Sequence, residues 1–321
     1  MADLPKRKLG RTGLQVTMLG YGAMELRGAP RARDITDGQA ETILNAVLDG
    51  GINYIDTSID YGLSEERIGR YISHRRDSYY LASKCGCLVG APPAPRGQRG
   101  PHLFTRENIV AGVEQSLARM KTDHLDVVQF HISPSRRTLE DNGAVEALLD
   151  LKAAGKVRFI GMSGTLPHLR DHIAMGVFDV FQIPYSAVER EHEAAIFEAA
   201  VTGAGIVIRG GAAKGAPAAG KQSGMQWERW QRARIDDLLD RATLSSSSSV
   251  SRSATRICIR PSSAPSIQRI FRAISTLCRK GRSRRVSMQR RSAGLPKPAL
   301  CRRCRRAAQQ AALRVPCRPA L

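Results

Sequence analysis

Short apolar runs alternate with helix-like segments between residues 15 and 210. Seven of these runs are about 5–7 residues long, rich in β-branched and aromatic residues, and mostly apolar on both faces. In chain order they are VTMLGYG, INYID, YYLASK, LDVVQFH, VRFIGMS, VFDVFQI and GIVIRG. Parallel strands that helices cover on both sides have this pattern. We therefore predict seven buried parallel strands.

Three of the segments between these strands have helical periodicity and end signals. Residues 37–51 begin at an aspartate that can cap a helix and end at a Gly-Gly pair. Residues 105–121 begin at a threonine, and residues 143–156 end around Gly155, a typical helix C-cap. Strands that alternate with helices in this way predict a parallel α/β fold.

Two parallel α/β architectures fit this order, a (β/α)8 barrel and an open doubly wound sheet. The segment GYGAM after the first strand lacks the third glycine of a G-x-G-x-x-G motif. Polar side chains suited to catalysis also follow several different strands, as they do in barrel enzymes. We predict a (β/α)8 TIM barrel, truncated to about seven recognisable strands and followed by an irregular basic tail.

The net charge of +21 comes almost entirely from one end of the chain. Residues 241–321 contain 18 Arg, 2 Lys and no acidic residue, whereas residues 1–240 contain 30 basic and 29 acidic residues. We therefore predict two regions, a nearly neutral barrel over 1–240 and a low-complexity basic tail over 241–321. The tail is expected to be disordered or read out of frame.

The distribution of cysteines and the lengths of the apolar runs indicate the cellular location of the protein. Two of the seven cysteines lie in the barrel region and five in the tail, without the regular framework of a disulfide-rich secreted domain. The N-terminus has no apolar h-region, and no apolar run approaches the roughly 20 residues that span a bilayer. We expect no signal peptide, no membrane segment and a cytoplasmic location.

Four polar residues lie at or after the ends of consecutive predicted strands. Asp56 ends the second strand, Tyr61 follows in its loop, Lys84 ends the third strand and His131 ends the fourth. Each alone is commonly a cap, a packing aromatic or a solvated side chain. Because carboxyl ends of neighbouring strands meet at one mouth of a barrel, we expect the four to converge.

These side chains together suit the protonation of a carbonyl group while hydride reaches its carbon. A lysine ammonium beside a tyrosine phenol favours the phenolate, which lowers a pKa that is otherwise about 10. An aspartate holds the lysine charged and oriented. A histidine can donate a hydrogen bond to a carbonyl oxygen that gains negative charge.

Several segments of residues 7–240 together resemble the aldo-keto reductase family. They are KLGRTGLQVTMLGYGAM, NYIDTSIDYGLSEERIG, SKCG, VVQFH, GKVRFIGMS and FQIPYS. The resemblance implies an NADPH-dependent reductase that converts small-molecule aldehydes or ketones to alcohols. It also implies a catalytic tetrad of Asp56, Tyr61, Lys84 and His131, with Tyr61 as general acid and no metal ion.

The resemblance also implies how the cofactor is held. In this family a Ser-Asn pair after the fifth strand and a Gln on the sixth hold the nicotinamide carboxamide. Ser163 and Gln182 match, whereas Gly164 stands in place of Asn, and Arg209 stands where relatives often have a stacking aromatic. The full set of implied cofactor-binding residues is Gly22, Met24, Asp56, Ser163, Gln182, Arg209 and Gly210.

Four interpretations of the tail compete: a nucleic-acid-binding arm, a disordered linker, a metal site and a segment read out of frame. The metal interpretation rests on Cys301 and Cys304 in CRRC, which lack a second Cys/His pair at a zinc-like spacing. The arm interpretation leads to an alternative function, a non-catalytic barrel scaffold that binds nucleic acid or anionic surfaces. Truncation at Asp240 would then abolish salt-dependent nucleic-acid binding.

The excess of Arg over Lys, without acidic residues, favours the out-of-frame interpretation. In a shifted frame, codons from Ile257 onward can encode Leu-His-Thr-Thr-Ile-Val-Gly-Thr, which reads as the missing eighth strand. We predict a one-base deletion, or an equivalent +1 shift, between about Asp240 and Ser246. Resequencing this DNA tests the prediction. In the aldo-keto reductase family the eighth strand is followed by the site for the adenosine 2′-phosphate and by a loop over the substrate. A barrel without these parts would leave its first and seventh strands with unpaired edges, and we expect its NADPH binding and activity to be impaired.

Overall fold

The computed structural model describes residues 4–29, 34–92, 98, 100–186, 188–211, 224–232 and 256–259. The chain divides into two units, Met1–Cys278 and Arg279–Leu321, and all described residues belong to the first. Most of the buried apolar side chains form one core around a parallel barrel, and a smaller buried cluster lies at the amino-terminal ends of its strands.

An antiparallel hairpin precedes the barrel and consists of β1 (Lys6–Lys8) and β2 (Gln15–Thr17). Its buried side chains, including Leu9 and Leu14, belong to the same cluster as apolar residues from the barrel strands. The sequence predicts one strand over 16–22, but the strand is interrupted at Met18, whose N–H donates to the oxygen of Pro5. The hairpin therefore closes the amino-terminal end of the barrel.

Seven parallel strands form the continuous part of the barrel, and each pairs with the next along the chain. They are β3 (Leu19–Gly22), β4 (Tyr54–Asp56), β5 (Tyr80–Cys85), β6 (Leu125–Phe130), β7 (Val157–Ser163), β8 (Val180–Pro184) and β9 (Gly205–Arg209). The predicted parallel α/β barrel with seven recognisable strands is confirmed. An open doubly wound sheet is excluded, because the ring is closed.

A short strand from the tail, β10 (Arg256–Ile259), closes the ring. It pairs in parallel with β9 on one side and with β3 on the other. The two edges that were expected to be unpaired are therefore covered, because pairing requires only an extended main chain with available N–H and C=O groups. The remaining expectations for 241–321 lie outside the described residues.

Eight helices lie among the described residues, and three of them match the segments predicted from periodicity. The predicted cap of the first was one residue late: Thr36, not Asp37, is the N-cap and forms a capping box with Gln39. Thr105 caps the second as expected, and Gly155 follows the third with a positive φ of 77°. No helix among the described residues has the length and apolar character that crossing a membrane requires. The helices are α1 (Asp37–Asp49), α2 (Ser64–Tyr71), α3 (Arg106–Met120), α4 (Arg136–Asp141), α5 (Ala144–Ala153), α6 (Leu169–Met175), α7 (Glu193–Val201) and α8 (Gly224–Arg232).

Asp126, near the start of β6, joins three neighbouring parts of the barrel base. Its Oδ2 accepts hydrogen bonds from the Arg76 guanidinium at 2.8 Å and from the backbone N–H of Leu81 at 2.9 Å. Its Oδ1 accepts from Arg158 at 2.6 Å. The carboxylate thus ties β5, β6 and β7 together with charge-assisted hydrogen bonds.

Asp179, just before β8, repeats this arrangement two strands further on. Its Oδ2 accepts from Lys152 at 2.7 Å and from the backbone N–H of Ile160 at 3.2 Å. Its Oδ1 accepts from Arg11 in the hairpin loop at 3.3 Å. Both base carboxylates therefore combine two cations with one N–H of a neighbouring strand.

Candidate active site

The four predicted catalytic residues lie together at the carboxyl-terminal end of the barrel. Asp56 is the last residue of β4, and Tyr61 lies in the loop that follows. Lys84 is the next-to-last residue of β5, and His131 directly follows β6. Because β4, β5 and β6 are neighbours in the barrel, the three strand-end residues lie side by side.

A buried ion pair forms the centre of this group. The Lys84 Nζ lies 2.8 Å from Asp56 Oδ2 and 2.7 Å from the backbone oxygen of Thr57. The other carboxylate oxygen, Oδ1, accepts from Gln129 Nε2 at 3.1 Å and Gln182 Nε2 at 2.9 Å. Only 2% of the Lys84 side chain is exposed, so this full set of partners is what allows both charges to be buried.

A tight turn holds the Tyr61 ring over the lysine. The Tyr61 N–H donates to the oxygen of Ser58 at 2.9 Å, and Gly62 follows with a positive φ of 46°. A Cβ on Gly62 would meet a backbone oxygen at 2.5 Å, so the turn requires glycine. The Lys84 Nζ is 5.0 Å from the Tyr61 ring centroid, and the His131 ring is edge-on at 6.3 Å.

His131 also contacts a cysteine. Its Nδ1 lies 3.2 Å from the Cys87 Sγ. Burial raises the pKa of the Cys87 thiol to about 12, so the sulfur keeps its proton at neutral pH. A thiol that donates to Nδ1 leaves the hydrogen of the neutral imidazole on Nε2. In that tautomer Nε2 can donate a hydrogen bond to a carbonyl oxygen.

Two of the predicted cofactor-binding residues face each other at the ends of neighbouring strands. Ser163 ends β7 and pairs in register with Gln182 of β8, and its Oγ lies 3.2 Å from the Gln182 Oε1. A Cβ on Gly164 would meet the Leu169 side chain at 2.8 Å. A side chain at this position would therefore require the end of the Leu169 side chain on α6 to move.

The other predicted cofactor-binding residues lie at the same end of the barrel. Gly22 ends β3 and Met24 lies in the short 3-10 segment Ala23–Arg27. Arg209 ends β9, and Gly210 follows with a φ of 75°. Together with the hydroxyl and amide of the Ser163–Gln182 pair, these positions suit the nicotinamide end of a dinucleotide. The expected 2′-phosphate site and covering loop lie outside the described residues.

Two contributors to this site, Gln129 and Cys87, are missing from the sequence prediction, and so is His102, a neighbour of Cys87. Gln129 lies two residues before His131, so the two side chains share a face of the strand. The sequence signal for Gln129 is a polar residue at a position that the strand pattern predicts to be buried. Cys87 and His102 are brought to His131 by a loop with no recognisable motif, so no signal in the sequence pointed to them.

Comparison with known proteins agrees with this geometry. The model of the Aldo/keto reductase family matches residues 18–280, which is most of the chain. The chain belongs to the aldo/keto reductase family. Members of this family are oxidoreductases that use nicotinamide cofactors, and the four polar residues at the barrel mouth lie within the matched range. The predicted boundary between 1–240 and 241–321 stays a prediction.

Individual aldo-keto reductases and related oxidoreductases resemble parts of the chain. An uncharacterized oxidoreductase of Bacillus subtilis, YqkF, is 31% identical over 216 residues, 65% of each protein. The NADH-specific methylglyoxal reductase of Escherichia coli is 29% identical over 203 residues, 59% of this chain and 61% of the relative. The chain thus spans less than two thirds of these relatives. The holo form of aldo-keto reductase AKR11C1 from Bacillus halodurans superposes with a TM-score of 0.69 at 25% identity, covering 86% of this chain and 96% of that one.

Proposed function

We propose that the protein reduces the carbonyl group of a small aldehyde or ketone to an alcohol, with NADPH as the hydride donor. The observation that carries this proposal is the convergence of Asp56, Tyr61, Lys84 and His131 at one mouth of the barrel, with Lys84 buried against Asp56. We place the reaction in the cytoplasm, because the chain has two barrel cysteines that are both free and no described membrane helix.

Each of the four side chains has a separate task in this proposal. When bound, NADPH would supply the hydride for the carbonyl carbon. Tyr61 gives its phenolic proton to the carbonyl oxygen, and the Lys84 ammonium beside the ring stabilises the phenolate that is left. Asp56 fixes the lysine, and the His131 Nε2 donates a hydrogen bond to the same oxygen.

The resemblance, one relative and three residues of the site bear on which cofactor the protein uses. The resemblance implies NADPH, but one relative is named as NADH-specific. Ser163 and Gln182 offer a hydroxyl and an amide to the carboxamide, and Gly164 contributes no side chain. We propose that this smaller set of contacts weakens cofactor binding. Fluorescence titration with NADPH and NADH measures both affinities, and micromolar affinity for NADPH would contradict the weakening.

Removal of the tyrosine hydroxyl tests the proposed chemistry. We expect Tyr61→Phe to lower carbonyl-dependent NADPH oxidation by about 10²–10⁴-fold, the usual contribution of a positioned general acid. Tyr80→Phe is the matched control, because Tyr80 starts β5 at the opposite end of the barrel. Carbonyl reduction that survives Tyr61→Phe unchanged would reject the role of Tyr61.

A further inference from the structure

We propose that Cys87, His102 and His131 form a binding site for Zn²⁺ or a similar divalent transition metal beside the active site. The Cys87 Sγ lies 3.2 Å from the His131 Nδ1 and 3.5 Å from the His102 Nε2. One ligand atom from each of the three residues lies within 4.8 Å of the other two. Among the described residues, this is the group of ligands that could hold a metal ion.

The distances suit tetrahedral coordination. Zinc lies about 2.3 Å from cysteine sulfur and about 2.0–2.1 Å from histidine nitrogen, so neighbouring ligand atoms in a tetrahedron are about 3.3–3.6 Å apart. Both sulfur–nitrogen distances are already close to that range. The rings of His102 and His131 are inclined by 60° with centroids 5.4 Å apart, so they do not stack and can both face one ion.

Main-chain hydrogen bonds hold the first two ligands next to each other. Cys87 and His102 are opposite partners in an isolated antiparallel bridge. The Leu103 N–H donates to the oxygen of Gly86 at 2.8 Å and extends this contact. Side chains of directly opposed residues lie on the same face, which explains why the sulfur meets the imidazole.

The third ligand is held equally firmly by the barrel. The His131 N–H donates to the oxygen of Cys85 at 3.0 Å, which continues the pairing of β5 with β6 beyond the last strand residue. Cys87 follows Cys85 by two residues. The three ligands therefore come from hydrogen-bonded backbone, so the site is largely formed before an ion arrives.

The chemistry of the ligands favours borderline and soft cations. Thiolate and imidazole are the side-chain ligands that zinc and copper prefer, whereas Mg²⁺ and Ca²⁺ prefer oxygen. Binding displaces the thiol proton of Cys87 to solvent and forms the metal–sulfur bond, without any change in oxidation state. Three protein ligands leave a fourth position for water.

An ion at this site would inhibit the reductase, and this consequence rests on the proposed function. His131 supplies the hydrogen bond to the carbonyl oxygen in that proposal, and coordination would hold its ring against Cys87 and His102. The ring could then not move toward a bound substrate, as catalytic side chains commonly do. A catalytic group held about 1 Å from its productive position can cost about 10²-fold in rate. We expect saturation with Zn²⁺ to lower carbonyl reduction by about tenfold or more.

Cobalt titration tests the site without any measurement of activity. Co²⁺ bound to a thiolate gives a charge-transfer absorption in the near ultraviolet, and tetrahedral Co²⁺ gives intense visible bands. The titration uses the full-length chain with its five tail cysteines replaced by serine, namely Cys258, Cys278, Cys301, Cys304 and Cys317. We expect saturation at one equivalent, at least about tenfold weaker binding in His102→Asn, and unchanged binding in His124→Asn, a surface histidine control.

Two results would overturn the proposal. One is the absence of a thiolate band in the serine background, with folding confirmed by circular dichroism. The other is the same cobalt affinity in His102→Asn and Cys87→Ser as in the parent. Zinc inhibition is measured separately, where His102→Asn should keep its basal activity and lose sensitivity to Zn²⁺. If no variant reduces carbonyls, the proposed function fails, while the cobalt titration still decides the metal site.

Discussion

The carboxylates at the two ends of the barrel are surrounded by different partners. At the mouth, Asp56 meets one cation, Lys84, and two neutral amides. At the base, Asp126 and Asp179 each meet two cations and one backbone N–H of a neighbouring strand. The base carboxylates join strands, whereas the carboxylate at the mouth fixes a single ammonium group.

The cations at the two ends of the barrel also differ in their exposure to solvent. Only 2% of the Lys84 side chain is exposed, compared with 36% of Lys152 and 44% of Arg158. A cation that reaches solvent can be hydrated again when its partner is lost, but a buried one cannot. Loss of Asp56 would therefore leave a buried charge, whereas loss of a base carboxylate would not. Because only the mouth pair takes part in the proposed proton transfer, we expect changes at the mouth to remove activity. Changes at the base should lower stability while activity per folded molecule is retained.

Removal of the buried ammonium is expected to have the largest effect. Lys84→Met should lower carbonyl reduction by about 10²-fold or more, because Tyr61 loses the charge that stabilises its phenolate. Steady-state NADPH oxidation measures the loss. Lys152→Met at the base is the matched control and should retain the activity. Equal losses in the two variants would break the distinction between mouth and base.

Neutralisation of a base carboxylate should lower stability and leave activity unchanged. Asp126→Asn keeps the shape of the side chain but weakens its charge-assisted hydrogen bonds, so we expect the free energy of unfolding to fall by about 2–3 kcal/mol. Activity per folded molecule should be unchanged. Urea unfolding measures the first quantity, with Asp123→Asn, an exposed neighbour, as the control that leaves the urea midpoint unaltered. A variant that keeps its stability but loses activity would contradict this assignment.

Restoration of the family asparagine should not improve cofactor binding. Gly164→Asn places a Cβ at 2.8 Å from the Leu169 side chain, and overpacking of this kind costs about 1–3 kcal/mol. Thermal unfolding and NADPH titration of the variant measure stability and affinity together. Tighter binding at unchanged stability would show that α6 yields and that packing does not explain the glycine.

The smallest expected effect concerns Glu65, a buried carboxylate on α2 that accepts from Ser83 and Ser116. Burial raises the pKa of the Glu65 carboxyl above its usual range. The folded state therefore holds the proton more tightly than the unfolded state, and stability falls as the pH rises from about 4.3 through the raised pKa.

Glu65→Gln removes this dependence on pH. Relative to the parent, the variant should gain stability as the pH rises through that window, by less than the change expected for Asp126→Asn. Urea unfolding at a series of pH values measures the difference between the two proteins. Glu66→Gln, an exposed neighbour on the same helix, is the control for the exchange of a carboxylate for an amide. A constant difference for Glu65→Gln would contradict the linkage.

Sequence patterns predicted the mouth better than the base. The mouth residues could be found because polar side chains at the ends of apolar strands stand out, and because they meet at one end of any parallel barrel. Asp126 and Asp179 lie inside the apolar runs LDVVQFH and VFDVFQI, away from the strand ends that indicate catalysis. Their partners are distant in the chain, and Arg76 is 50 residues from Asp126, so no local pattern links them. His102, a ligand in the proposed metal site, was missed for the same reason.

In the tail, the structure differs from what the composition predicts. Its charge and low complexity indicated no strand, yet β10 pairs with both neighbours. Strand pairing uses backbone groups that nearly every residue carries, so an unusual composition does not prevent it. The predicted shift of reading frame is decided by the DNA sequence.

Closure of the ring by β10 has a consequence for which sequence changes the barrel can accept. The hydrogen bonds that join Arg256–Ile259 to the barrel come from the main chain, and so they are the same for any sequence without proline. This segment is therefore a natural site for randomised or exchanged peptides. A library of sequences at these four positions would measure how strongly folding of the barrel depends on the residues of its last strand.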